Sequence, residues 1–235
     1  MTGQVRLIAV SRPVIDELET TEQLLAFCAR VSSTANQLKH ATGPKLIASL
    51  IKRKEWSPLE MVSATIEITT TRDIARQILR HSSFSFQEFS QRYAKVEDEY
   101  VHREARMQDH KDRQNSTPAD DADLAAWWDE AQGIHAVNTQ ELYDEALARG
   151  LAKEVARSVL PEGMTPSKLY MAGTLRSWIH YLMLRCDRKT QKEHRAIAFQ
   201  IAWELCREFP IINTVLDWVG DGPTDEDRYG AHGQG

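Results

Sequence analysis

The chain has only three cysteines among 235 residues, Cys28, Cys186 and Cys206. They are odd in number, far apart and include no CxxC pair, which excludes a disulfide framework and leaves a zinc site unsupported. Each reads as a small core residue. Neither GxGxxG nor GxxxxGK[ST] occurs, so a dinucleotide-binding turn and a P-loop lack support as well. No apolar window approaches the length needed to cross a bilayer. The opening MTGQVRLIAVSRPVIDELE lacks the basic, apolar and small-residue order of a secretory signal. Together these absences predict a cytoplasmic protein without a membrane span. The net charge of -5 also denies the chain the broad basic surface on which nucleic-acid binding depends.

What is present is the composition of a globular domain. Hydrophobic residues make up 42% and charged residues 27%, enough for one domain with a real core over residues 1–219. From Gly220 onward the sequence GDGPTDEDRYGAHGQG is polar, and residues 220–235 are expected to be a disordered tail.

Periodicity divides the domain. Residues 5–10 read as an opening strand, and 21–31 and 44–54 as helices, the second with Pro44 in its first turn. Residues 62–70 alternate, with Val62, Ala64, Ile66 and Ile68 on one face and Ser63, Thr65, Glu67 and Thr69 on the other, which predicts a half-buried strand. A helix is expected over 72–81, then a loop, then a strand near 93–101. Asn115, Ser116, Thr117 and Pro118 mark the polar stretch 106–123 as a long exposed loop. A long helix over 123–149 should stop at Gly150, and a shorter one over 154–160 at Pro161. An extended piece from Pro166 leads to Thr174, an N-cap for a helix to Arg185, and a last helix spans 190–209. Few strands among several long helices predict an α+β fold rather than a doubly wound sheet.

The most informative stretch runs from Arg72 to Tyr93. Its helix sets Arg72, Arg76 and Arg80 along one face, where like charges repel, and such a row is ordinarily a solvated stripe. Here it leads into His81, Ser82, Ser83, Ser85, Gln87, Glu88, Ser90, Gln91 and Arg92. That density of donors and acceptors suits a ligand with phosphate and amide edges.

These residues resemble the flavin-dependent thymidylate synthases, whose signature is Arg-His-Arg, seven residues, then Ser. Here the run is Arg80-His81-Ser82, seven residues, Ser90. The resemblance recurs in Cys28-Ala29-Arg30-Val31-Ser32, Ser57-Pro58-Leu59-Glu60 and Glu154-Val155-Ala156-Arg157. It continues from Gly173 through Arg176, His180 and Arg185 to Thr190-Gln191-Lys192-Glu193, so it covers about 28–210.

The resemblance implies a small antiparallel sheet flanked by several long helices. It implies a methyltransferase of dTMP biosynthesis: dUMP is methylated with methylenetetrahydrofolate as carbon donor and FADH2 as hydride donor, and NADPH re-reduces FAD. Carried over by position, Gln77, Arg80, Glu88, Phe89, Ser90, Gln91, Arg92, Arg157 and Arg185 contact dUMP. Ser57, Arg80, His81, Ser82, Glu88, Thr174, Leu175, Arg176 and His180 contact FAD, with Ser32 as an additional candidate. Arg185 is the catalytic candidate, a fixed cation beside charge developing at the uracil N3–O4 edge. No metal is implied, and the serines are ligand donors rather than nucleophiles.

On a straight helix Arg176 and His180 share a face while Arg185 points about 180° away, so one copy of this helix does not serve one compact site with both ends. The resemblance implies a homotetramer with sites between chains. The match departs at Ser82, which replaces the second Arg of the signature, and at Gln87, Thr174 and Lys189. Three alternatives stay open at this point. One is a divergent flavin-dependent methylase or hydroxymethylase of another pyrimidine nucleotide, and another is a non-catalytic flavin- or nucleotide-binding relative. The third is a nucleic-acid module that stacks bases on Phe84, Phe86 and Phe89.

Overall fold

The alternating stretch inside residues 62–70 forms the strand expected of it, and its apolar face carries the core. The computed structural model describes residues 3–96 and 99–217. Its strands are β1 (Gln4–Val10), β2 (Ser63–Thr71), β3 (Ser85–Glu88), β4 (Arg106–Gln108), β5 (Ser116–Pro118) and β6 (Pro166–Thr174). Its α-helices are α1 (Thr21–Ala29), α2 (Gly43–Lys52), α3 (Arg72–Ile78), α4 (Ala122–Ala148), α5 (Lys153–Ala156), α6 (Leu175–Arg185), α7 (Lys192–Cys206) and α8 (Ile211–Asp217).

The main sheet is antiparallel throughout, in the order β1-β2-β6-β3. Ala64, Ile66 and Ile68 of β2 and Leu169 and Met171 of β6 turn inward, where α1, α2, α6, α7 and α8 cover them. Leu25, Ile47, Trp178, Ile201 and Ile212 are fully buried in that layer. The fold class is therefore the expected α+β arrangement.

Local chemistry fixes the helix starts. Thr20 and Gln23 form a capping box for α1, and Asp121 accepts from the amides of Asp123 and Leu124 to start α4. Gly150, at φ 86°, takes the left-handed turn that ends α4. The Thr174 hydroxyl caps α6 by accepting from the Ser177 amide. One residue earlier, a Cβ on Gly173 would lie 2.4 Å from the ring of Phe84, so only glycine allows that ring to close over β6.

Four expectations change. The described residues of 93–101 form no strand: Tyr93 is 77% exposed in a turn, Lys95 pairs with Asp144 at 2.7 Å, and Val96 packs in a satellite cluster with Tyr143. Side chains, not a ladder, hold that segment against α4. Part of 106–123 closes as an exposed hairpin of β4 and β5, with Asp109 accepting from the amides of Lys111 and Asp112 and from the Asn115 side chain. The donor-rich loop after α3 contains the edge strand β3. The last long helix stops at Cys206, short of the expected 209, and Pro210 leads into a further short helix, α8, which buries Ile211, Ile212 and Val215. The expected tail 220–235 lies outside the described residues. No described helix is long and apolar enough to cross a membrane.

Candidate active site

β2 delivers the chain into α3, whose arginine row is divided among three fates. Arg72 approaches Glu88 at 3.7 Å and Arg76 pairs with Glu162 at 2.5 Å. Arg80 is exposed and makes no ion pair among the described residues. Partners from β3 and from the segment before β6 thus relieve the repulsion along the row, leaving its last guanidinium to a ligand.

His81 follows in the turn that ends α3, its amide donating to Ile78 O at 3.1 Å. Its imidazole meets the far end of α6, where Arg185 Nε donates to His81 Nε2 at 2.9 Å. For Nε2 to accept, the ring must be neutral. Partial burial and then the Arg185 charge push the His81 pKa down to about 4, which keeps it so. With Nε anchored, the terminal nitrogens of Arg185 make no bond to the described residues, so its planar fork stays open for a second partner.

The other end of α6 makes a separate cluster. Arg176 pairs with Glu60 in the short turn Ser57–Glu60, and His180 meets the ring of Trp56 edge-on at a centroid distance of 4.4 Å. Burial and then Arg176 hold the His180 pKa below its ordinary value. Arg176 and His180 therefore share one neighbourhood and Arg185 occupies another, as the helical spacing requires.

The remaining candidates fall around these two centres. Glu88 accepts from Ser167 Oγ at 2.8 Å, and the Phe89 amide pairs with Lys168 O while its ring stays 38% exposed. Arg92 binds Glu154 through two nitrogens, at 2.9 and 3.1 Å, which ties the signature segment to the short helices carrying Arg157. Arg157 is half-buried and unpaired among the described residues. Gln91 is only 3% exposed, yet its Nε2 has no partner among the described residues. A buried donor left unpaired is costly unless a ligand meets it. Ser57 and Ser82 are both exposed and make no side-chain hydrogen bond among the described residues. Among the described residues Ser90 makes no side-chain hydrogen bond to a base that could activate it for attack.

Three candidates stand apart. Leu175 points into the core at 0% exposure, spends its amide on Val62 O and opens α6, whose helical bonds occupy its carbonyl. The Thr174 hydroxyl is committed to the cap of α6. Ser32 lines a cavity of about 510 Å³ with Arg30, Ser33, Asn36 and Lys39, and none of the other assigned residues reaches it.

The structure also adds residues that the sequence reading passed over. Tyr181 is buried, and its hydroxyl lies 3.0 Å from His194 Nε2, while His194 Nδ1 lies 3.3 Å from Gln77 Oε1. Gln77 Nε2 continues to Gln191. The signal was the segment Thr190-Gln191-Lys192-Glu193, which stops one residue short of His194.

The donor set fits FAD and a nucleotide: the open guanidiniums of Arg80, Arg157 and Arg185 suit phosphates and a carbonyl edge, and the buried Gln91 amide awaits an acceptor. Fold and site thus define an α+β protein built to hold phosphate-bearing ligands between a short antiparallel sheet and the two ends of one helix. Residues 13–211 match the family described as "Thymidylate synthase complementing protein", and the chain belongs to that family. It is 49% identical over 217 residues to the "Flavin-dependent thymidylate synthase" of Synechocystis sp., covering 91% of this chain and 99% of that protein. The "Probable flavin-dependent thymidylate synthase" of Paramecium bursaria Chlorella virus 1 is 45% identical over 214 residues, with the same coverage. Among solved structures, the UMP/dUMP methylase PolB from Streptomyces cacaoi bound with 5-Br UMP superposes with a TM-score of 0.78 at 25% identity. That match covers 94% of this chain and 96% of the other.

Proposed function

We propose that this chain is a flavin-dependent thymidylate synthase, an FAD-dependent methyltransferase that converts dUMP to dTMP. The observation that carries the mechanism is the anchoring of Arg185 by His81 with its terminal nitrogens open. FAD, when bound, supplies the hydride that completes the new methyl group. Arg185 offers two parallel donors to the N3–O4 edge of the uracil and stabilises the negative charge that makes C5 nucleophilic, an effect of about 10²–10³ in rate. His81 fixes that guanidinium without adding a competing charge. Arg80, Arg92 and Arg157 hold the substrate phosphate, and Gln77 and Gln91 orient the base. Ser57, Ser82, Arg176 and His180 hold the flavin.

Methylenetetrahydrofolate and NADPH as co-substrates, a homotetramer and a cytoplasmic location belong to the same proposal. Trp127, Ile134, Val137 and Leu142 are more than half exposed along α4, which supports a surface covered by further copies of the chain. A second reading, methylation of UMP as well as dUMP, is favoured by the UMP/dUMP methylase among the structural relatives.

The test is direct. The purified protein should carry or take up FAD, and with dUMP, methylenetetrahydrofolate and NADPH under low oxygen it should yield dTMP by mass. Parallel assays with UMP decide the second reading. A colourless protein that takes up no added FAD would overturn the proposal.

A further inference from the structure

A line of hydrogen bonds runs behind the site through α6, α3 and α7, and its direction follows from one end. Glu193 is buried, a condition that raises a carboxyl pKa, but Arg103 at 3.3 Å and Arg106 at 2.7 Å bring it below the ordinary value, so it is a carboxylate. A carboxylate only accepts. Gln191 must then give its Nε2 to Glu193 Oε2, at 2.9 Å, and turn its Oε1 the other way. Gln77 meets that oxygen with its own Nε2, at 2.8 Å, and therefore turns its Oε1 toward His194 Nδ1. His194 must carry its proton on Nδ1, which leaves Nε2 to accept from the Tyr181 hydroxyl at 3.0 Å. Every donor in the line points toward Glu193.

We infer that His194 is a positioning residue: it completes a two-point hold on the Gln77 amide, whose direction Gln191 sets, and, with Tyr181, forms the neutral floor beneath His81 and Arg185. Without it the Gln77 amide is held through its Nε2 alone and can swing about that one bond. Tyr181 carries the same constraint to the other centre, since its ring meets His81 edge-on at 4.9 Å. His194 is itself 0% exposed, and burial, then Arg185 and His81, keep it neutral. It therefore serves through direction and not through charge. This inference rests on the reading of Gln77 as a dUMP contact.

Two measurements test it. In the full chain labelled with ¹⁵N-histidine at pH 7, the resonances lost in His194→Gln should be those of a neutral ring protonated on Nδ1. In the FAD-loaded protein, the paired substitutions Tyr181→Phe and His194→Leu remove both buried polar groups together and preserve the fold. The dUMP Kd should then rise about tenfold, the loss of one uncharged hydrogen bond, with FAD affinity unchanged. His194→Gln alone, whose amide both donates and accepts, should recover part of that loss. Protonation on Nε2, an imidazolium, or wild-type dUMP affinity in the paired variant would overturn the inference. If FAD-loaded wild-type protein bound no dUMP, the substrate reading would fall, and the tautomer alone would then decide whether His194 donates to Gln77.

Discussion

Arg185 Nε and His81 Nε2 lie 2.9 Å apart, joining the last residue of α6 to the turn after α3 across 104 positions of sequence. The bond uses the one guanidinium nitrogen that does not belong to the terminal fork, so Arg185 is oriented without being consumed. Arg185→Lys keeps the charge but has neither the fork nor Nε. Its turnover of dUMP should fall about 10²-fold, with a lowered thermal midpoint, since the partly buried His81 Nε2 loses its donor. Single-turnover formation of dTMP in the FAD-loaded variant is the measurement.

Two neutral imidazoles give stability a pH dependence of definite sign. His81 and His194 are held at about 4 and about 3, below the ordinary 6.5. Below pH 6.5 the unfolded chain binds protons that the folded chain refuses. The contribution of both groups is therefore complete above pH 6.5 and is lost as pH falls toward their folded values. Melting temperature should be flat from pH 8 to 6.5 and decline below it. In His194→Gln the decline should be shallower.

Gln91 sets stability against binding. Its buried Nε2 lacks a protein partner, so Gln91→Leu removes a desolvated donor and should hold or raise the denaturant midpoint. The same change should weaken dUMP binding about tenfold, the worth of one such hydrogen bond. A variant that lost stability and kept its dUMP affinity would assign Gln91 to the fold alone.

At Gly173 the constraint is steric. Alanine there would drive a methyl group into Phe84, whose ring packs edge-on against Trp178 at 4.6 Å, so the strain reaches the core above the site. Gly173→Ala should cost about 1–3 kcal/mol in urea unfolding.

Ser82 is exposed next to His81, so Ser82→Arg meets no steric bar and should change folding stability by less than about 0.5 kcal/mol. A permanent cation restored beside the flavin phosphates should tighten FAD several-fold, as read from flavin fluorescence on titration. Unchanged FAD affinity and reduction rate would show that this position does not tune the cofactor.

Much of the architecture was legible because it is written in local periodicity. The alternation through Ile66 and Ile68 gave β2, Thr174 gave the start of α6, and Gly150 gave the end of α4. The short strand β3 was hidden, because Ser85–Glu88 reads as polar loop and becomes a strand only beside β6. The segment 93–101, expected as a strand, failed in the opposite sense: Lys95 and Val96 attach it to α4 through side chains. The helix α8 went unread because it is short and stabilised by burial of Ile212 and Val215, which is a tertiary effect.

The site divides in the same way. Residue types and spacing determined by themselves that Arg80, His81, Ser90, Arg157 and Arg185 resemble one family's ligand set, and that Arg176 and His180 face away from Arg185. The chain's own chemistry suffices for that, since motif and helical phase are local properties. Only the tertiary structure decided which groups are free to bind. Burial takes Leu175 inward, ion pairs occupy Arg72 and Arg76, and the Glu193 carboxylate imposes a direction on a line of hydrogen bonds reaching Tyr181 through His194. Those outcomes depend on which distant side chains meet in a low-dielectric interior, where an unpaired donor is costly and each amide must choose a direction.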